Sequence, residues 1–304
     1  MPDALNTVFG YVLMGPCSAV PMASATSFCH VDQMVSLEES VKQFWSLQTV
    51  PEVECSAPEV ECSAPEYILC EKIFVENVCG DGSGRYTGAL PFRELSPVFP
   101  GMFELAVNRF LSLEKRLLKM HTVYQEYCTF MKDYLDLHHL EIVSETSQPL
   151  SCYYIPHHAV LKPDSLTTKL LVVFNASARI GNQNSPNQCL FTGKKLQQDI
   201  LTILLGFRLH KYVLSTDIKH IYRQIRVDKS HCDYQRIVFR VSPDEELQEF
   251  RLLTVTYGVS SASFLALRTL LQLSEDEGRE FPLAAEVLST ITYVDDIVCG
   301  GDTL

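Results

Sequence analysis

The first 150 residues and the last 150 carry different patterns of apolar and polar positions. Val8 to Met14 is a short apolar run closed by Gly15-Pro16 and reads as one strand. From Gly101 to about His138 the apolar residues fall at three- and four-residue steps, with Tyr124, Tyr127, Met131, Tyr134 and Leu135 on one side and Glu114, Lys115 and Lys119 on others. That spacing predicts an amphipathic helix. From Tyr153 onward strands and helices alternate. Lys169 to Ser177 (KLLVVFNAS) reads as a buried strand, Leu196 to His210 as a helix, and Lys211 to Ile218 (KYVLSTDI) as a strand ending in an acid. Tyr234–Val241 and Phe250–Tyr257 read as two strands joined by a polar turn around Pro243. Ser261–Glu277 is a helix opened by a serine of the N-capping kind. The chain closes on AAEVLSTITYVDDIVCGG, in which β-branched runs flank Asp295-Asp296 and predict a tight hairpin turning on the acid pair. The class is α+β.

Between these halves lies a perfect tandem heptad, PEVECSA, over residues 51–64, with a third copy begun at Pro65-Glu66. Its prolines and acids exclude a continuous helix and suit a linker. Eleven cysteines are scattered without CxxC or Cys/His spacing, as expected of reduced thiols packed as small apolar groups. No 18-residue run is free of charges and turn residues, and no basic-then-apolar leader opens the chain. No membrane span is expected, and an intracellular location is. Gly80–Gly84 (GDGSG) lacks the strand-before, helix-after setting of a phosphate loop.

Charge alters the picture. The chain carries a net −12, but residues 151–240 hold thirteen Lys and Arg against five Asp, a local +8 that leaves −20 elsewhere. Segregation of this kind is expected where one section meets a polyanion. An isolated Asp at a strand end is usually a turn former, and a single DD pair is a weak signal. If the strand ending at Asp217 lies beside the hairpin, however, three carboxylates converge, and such a cluster repels itself unless divalent cations occupy it. All-oxygen ligation favours magnesium or manganese, and two ions about 3.5–4 Å apart are the arrangement that serves in-line phosphoryl transfer.

YVDD (Tyr293–Asp296), LSTDIKHIYRQI (Leu214–Ile225) and TVTYGVSSASFLALRTL (Thr254–Leu270) resemble the successive catalytic segments of reverse transcriptases. YYIPHHAVLKPDSLTTKLLVVFNASA, QRIVFR and YGVSSASFLA are most similar to the Bel-Pao class of long-terminal-repeat retrotransposons. NTVFGYVLMGP resembles the tail of the protease region in that class, and RYTGALPFR with YQEYCTFMKDYL the spacer before its polymerase.

The resemblance implies a protease remnant at 1–20, a repeat-bearing linker at 21–90, a helical spacer at 91–150, and reverse-transcriptase fingers and palm at 151–304, ending before any thumb. It implies an RNA-directed DNA polymerase acting on a template-primer and a deoxynucleoside triphosphate with two magnesium or manganese ions, in the cytoplasmic setting of a virus-like particle. Asp217 and Asp295 become the principal metal ligands, Asp296 a supporting one, and the Ile218 carbonyl completes a shell. Tyr222 takes the place of the steric gate under the sugar. Tyr257 and Gly258 occupy the segment packed against nucleotide and template, and Lys169 the place of a basic side chain facing the triphosphate. Arg223, Arg226, Lys194 and Lys195 are the expected phosphate contacts. The chain departs from the family at Leu171, where an arginine is usual, at Asn175, where an aspartate is, and at Ser263, where a proline is. The alternative expectation is a catalytically inactive remnant or a co-opted nucleic-acid-binding module.

Overall fold

The computed structural model describes residues 3–7, 10–14, 64–143, 151–161 and 170–302. Contacts divide the chain at Val53/Glu54. In the first unit β1 (Asp3–Thr7) pairs antiparallel with β2 (Gly10–Met14), a hairpin where the sequence predicted one strand.

The second unit begins with a helix that the linker reading did not foresee. In α1 (Ala64–Asn77) the proline at 65 falls in the first turn, where its missing N–H costs no bond. Cys70 and Phe74, one turn apart, are both buried. Phe74 meets Phe264 edge-on at 6.2 Å between ring centres, and Arg268 lies over the Phe74 ring while bonding Glu71 at 2.7 Å. The helix is therefore docked on α7 (Ala262–Glu277), not solvated. Short strands β3 (Cys79–Gly80) and β4 (Tyr86–Gly88) follow. The turn between them is organised by Asp81, whose carboxylate accepts from the Ser83 and Arg85 backbone N–H groups.

The single helix expected over 101–138 is two, α2 (Met102–Leu117) and α3 (His121–Asp136). The break falls at Met120, whose backbone is non-helical, without a proline or glycine to signal it. Met102, Ala106, Phe110, Leu113 and Leu117 form the buried stripe of α2, and Tyr127, Met131 and Tyr134 that of α3. Glu114, read as surface, is buried and takes two hydrogen bonds from the Arg240 guanidinium, at 2.9 and 2.6 Å.

Both helices join one apolar core with the strands that follow. β5 (Leu140–Ile142), β10 (Arg236–Phe239) and β11 (Gln248–Leu252) form an antiparallel sheet in the order β10-β11-β5. β6 (His157–Leu161) pairs with β7 (Leu170–Phe174). Tyr234, predicted to open a strand, lies instead in a 3-10 turn over Cys232–Gln235 ahead of β10. Helices α4 (Pro186–Cys189) and α5 (Ile200–Phe207) precede β8 (Tyr212–Asp217). The short α6 (Ile221–Gln224) leads into β9 (Arg226–Val227). The serine before α7 does not cap it. Ser261 has helical backbone angles, and its buried hydroxyl has no hydrogen-bond partner among the described residues. α8 (Pro282–Thr290), opened by Pro282 in its first turn, runs into β12 (Thr292–Tyr293) and β13 (Asp296–Gly301). These two strands and β8 make a sheet of order β12-β13-β8.

Candidate active site

The register of that last sheet sets the site. β13 runs antiparallel to β8 with Gly301 opposite Tyr212 at one end and Asp296 opposite Asp217 at the other. Directly opposed residues project from the same face about 5 Å apart, and like charges so placed destabilise the pair. The hairpin turns on Val294-Asp295, because Tyr293 pairs with Asp296. The turn thus uses one member of the acid pair, not both. Val294 has φ 57°, the left-handed region that a β-branched residue avoids, at a cost of about 1–3 kcal/mol. Asp295 sits at the tip, half-buried, and its carbonyl accepts from the Ile218 N–H at 2.7 Å. That bond ties the hairpin to the residue following Asp217.

Asp217 and Asp296 are exposed. Burial first, then the nearby Asp217 and Asp296 charges, push Asp295 above the ordinary carboxylate range, against its own backbone N–H, which acts the other way. Asp295 therefore feels both neighbouring carboxylates. A cation would relieve that repulsion, and an all-carboxylate donor set suits a hard divalent ion. Among the described residues, no three side chains of the ligating kinds are already arranged to hold one.

Beyond Asp217 the chain reverses through His220, a non-glycine residue at φ 56° that heads α6. Burial, Arg223 and Lys219 lower the His220 pKa, while the Asp217 charge acts the other way. Tyr222 is half-buried against the core. Residues 225–227 then zip against 253–255, with Val255 N–H donating to the Ile225 carbonyl and Val227 N–H to the Leu253 carbonyl, each at 2.9 Å. This carries Tyr257 and Gly258 toward the α6 region. The Tyr257 hydroxyl donates to the Val172 carbonyl, and burial raises its pKa. Gly258 is at φ 94°, and a Cβ there would overlap the Phe174 carbonyl oxygen. Asn187 clamps the same turn, donating to the Gly258 carbonyl at 3.0 Å and accepting from Ser260 N–H at 2.8 Å.

Of the expected phosphate contacts, Arg226 pairs with Asp81 at 3.2 Å and Arg223 lies 4.8 Å over the Tyr134 ring. Lys194 and Lys195 are exposed. Lys169 lies outside the described residues. Leu171 stands opposite Val160 in the β6–β7 pair. Sequence reasoning did not single out His220, Asn187 or the strained Val294: His220 and Val294 sit inside the quoted motifs but are marked by their backbone angles, and Asn187 is placed by bonds to Gly258 and Ser260 far along the chain.

No family model matches the chain, and no curated protein does. Among solved structures the chain is similar to the foamy viral protease-reverse transcriptase dRH in complex with ds DNA, at 17% identity and TM-score 0.41, covering 56% of this chain and 25% of that one. It is also similar to the Prototype Foamy Virus protease-reverse transcriptase CSH mutant, at 15% identity and TM-score 0.41, covering 75% and 23%. The chain spans about a quarter of the length of either structure.

Proposed function

We propose that the second unit is a template-directed nucleotidyl-transfer site of the reverse-transcriptase kind, from a Bel-Pao-like retrotransposon polyprotein. The observation that carries this reading is the register that sets Asp217 opposite Asp296, with Asp295 bonded through its carbonyl to Ile218. Residues 79 and 77 positions apart in sequence thereby meet at one end of a sheet, in the order that the motif resemblance requires. Asp217, Asp295 and Asp296, with the Ile218 carbonyl beside them, would hold two magnesium or manganese ions, which supply activation of a primer 3′-hydroxyl and stabilisation of the leaving oxygen. Tyr222 lies against the sugar and discriminates by its bulk. The backbone at Gly258, free of a Cβ, lets nucleotide and template approach closely. Lys169, Lys194, Lys195 and Arg223 contribute positive charge toward phosphates.

Primer extension on a poly-rA template with magnesium or manganese tests the reading, comparing the wild-type chain, Asp295→Asn, and a version extended through a family thumb. Extension that Asp295→Asn removes supports it; absence of extension in all three overturns the catalytic reading. A second reading, a nucleic-acid-binding module without turnover, draws on a specific observation. Every residue of β8 is exposed, Val213 at 51% and Leu214 at 60%, and α8 buries none of its residues. The platform under the acids is little buttressed within the described residues, and Leu171 offers no charge to a developing phosphate.

A further inference from the structure

Away from the acid cluster, a cavity of about 360 Å³ opens between α2 and the start of β6. Its floor is Leu113, Pro156 and the buried His157, and its rim is Asn108, Arg109, Ser112, Arg116, His158 and Asn175. No acid lines it among the described residues. Positions 109, 112 and 116 recur at three- and four-residue steps, so they share one face of α2, and Arg109 and Arg116 stand two turns apart, roughly 10 Å along the axis. Arg109 and Arg116 are both exposed, and neither has an ion pair among the described residues. Arg109, Arg116 and His158 line the same cavity, and both guanidinium charges, after burial, depress the His158 pKa. Asn175 turns its side-chain oxygen to the Ser177 N–H at 3.1 Å, which leaves its amide hydrogens as donors.

Two guanidiniums without an ion pair, around a cavity with no acid in its lining among the described residues, match an anion, and their planar forks match a phosphate. The volume exceeds what a lone phosphate fills and falls in the range of small-ligand sites. We propose that the Arg109–Arg116–His158 cavity is a phosphate-recognition site for a nucleotide-sized group, either a free nucleotide or a nucleotide within a strand. It is separate from the nucleotidyl-transfer site and does not depend on that reading.

The test is binding by the full 304-residue chain in EDTA, where divalent-dependent chemistry is silent, so primer extension decides the polymerase reading independently. The probes are ATP and a fluorescein-labelled dT oligonucleotide. Wild type is expected to bind at least one of them, and Arg109→Gln/Arg116→Gln to weaken that binding tenfold or more with an unchanged circular dichroism spectrum. Asn175→Asp, which keeps the oxygen that accepts from Ser177 N–H but replaces the amide donors with an opposing charge, is expected to weaken it several-fold. Loss confined to ATP identifies the free nucleotide as ligand. Loss confined to dT, with a salt slope shallower by about one to two, identifies the strand. Wild type binding neither probe, or a folded double variant binding both as wild type does, overturns the proposal.

Discussion

At Gly258 a positive φ of 94° coincides with an approach to the Phe174 carbonyl that leaves no room for a Cβ. Gly258→Ala is therefore expected to cost at least the ~1–3 kcal/mol of the backbone conformation and more from the overlap. A urea midpoint shared with wild type would refute this. His157 offers a pH test. The ring is buried, its Nε2 lies 2.5 Å from the Tyr127 hydroxyl, and burial lowers its pKa from 6.5 to about 4. The folded ring stays neutral where the unfolded ring becomes charged, so stability is intact above pH 6.5 and falls as pH drops toward about 4. The loss by pH 4 is on the order of 3 kcal/mol. His157→Gln should flatten the denaturation midpoint over that window; a profile parallel to wild type would contradict the assignment. The sequence marked the glycine through its motif, whereas His157 and His158 are adjacent histidines outside any motif. It gave no sign of which of the two is sealed, because alternation along β6 alone does not say which face meets the core.

Elements were legible where a strong period met ordinary punctuation, as in β7, β8, β11 and α7. They were obscured where the signals conflict. The prolines of the repeat argued for a linker up to residue 90, yet Cys70 and Phe74 were enough to dock α1 once α7 supplied a partner surface. The acid pair looked like a turn by composition, but pairing with β8 draws Asp296 into the strand and leaves Val294 strained at the corner. Arg236, counted in sequence as part of a basic footprint, is spent inside the fold. It stands opposite Arg251 across the β10–β11 ladder, and Asp233 holds both guanidiniums, at 2.8 and 3.5 Å, with Glu249 and Tyr154 completing the set on Arg236. Arg236→Met is expected to cost about 3 kcal/mol because it takes the cation from Glu249 and leaves Asp233 with Arg251 alone. Arg226→Met, which breaks a solvent-screened pair with Asp81, should cost far less. Equal losses in thermal or chemical denaturation would show that the core pair is not structural.

For the whole molecule, the local charge of +8 overstates what a polyanion would meet, since Arg226, Arg236 and Arg240 are each paired with acids. Lys194 and Lys195 remain exposed, and Arg109 and Arg116 add a second basic locus that composition did not reveal because it lies in the acidic half. No helix among the described residues is long and apolar enough to cross a membrane. The account rests on Asp217 and the hairpin acids acting together as one cation site. Electron paramagnetic resonance of manganese added to the full chain measures this directly. Bound manganese that either Asp217→Asn or Asp295→Asn removes, with the fold intact, is the predicted result. Manganese bound equally by wild type and both variants, or by none of them, would contradict it.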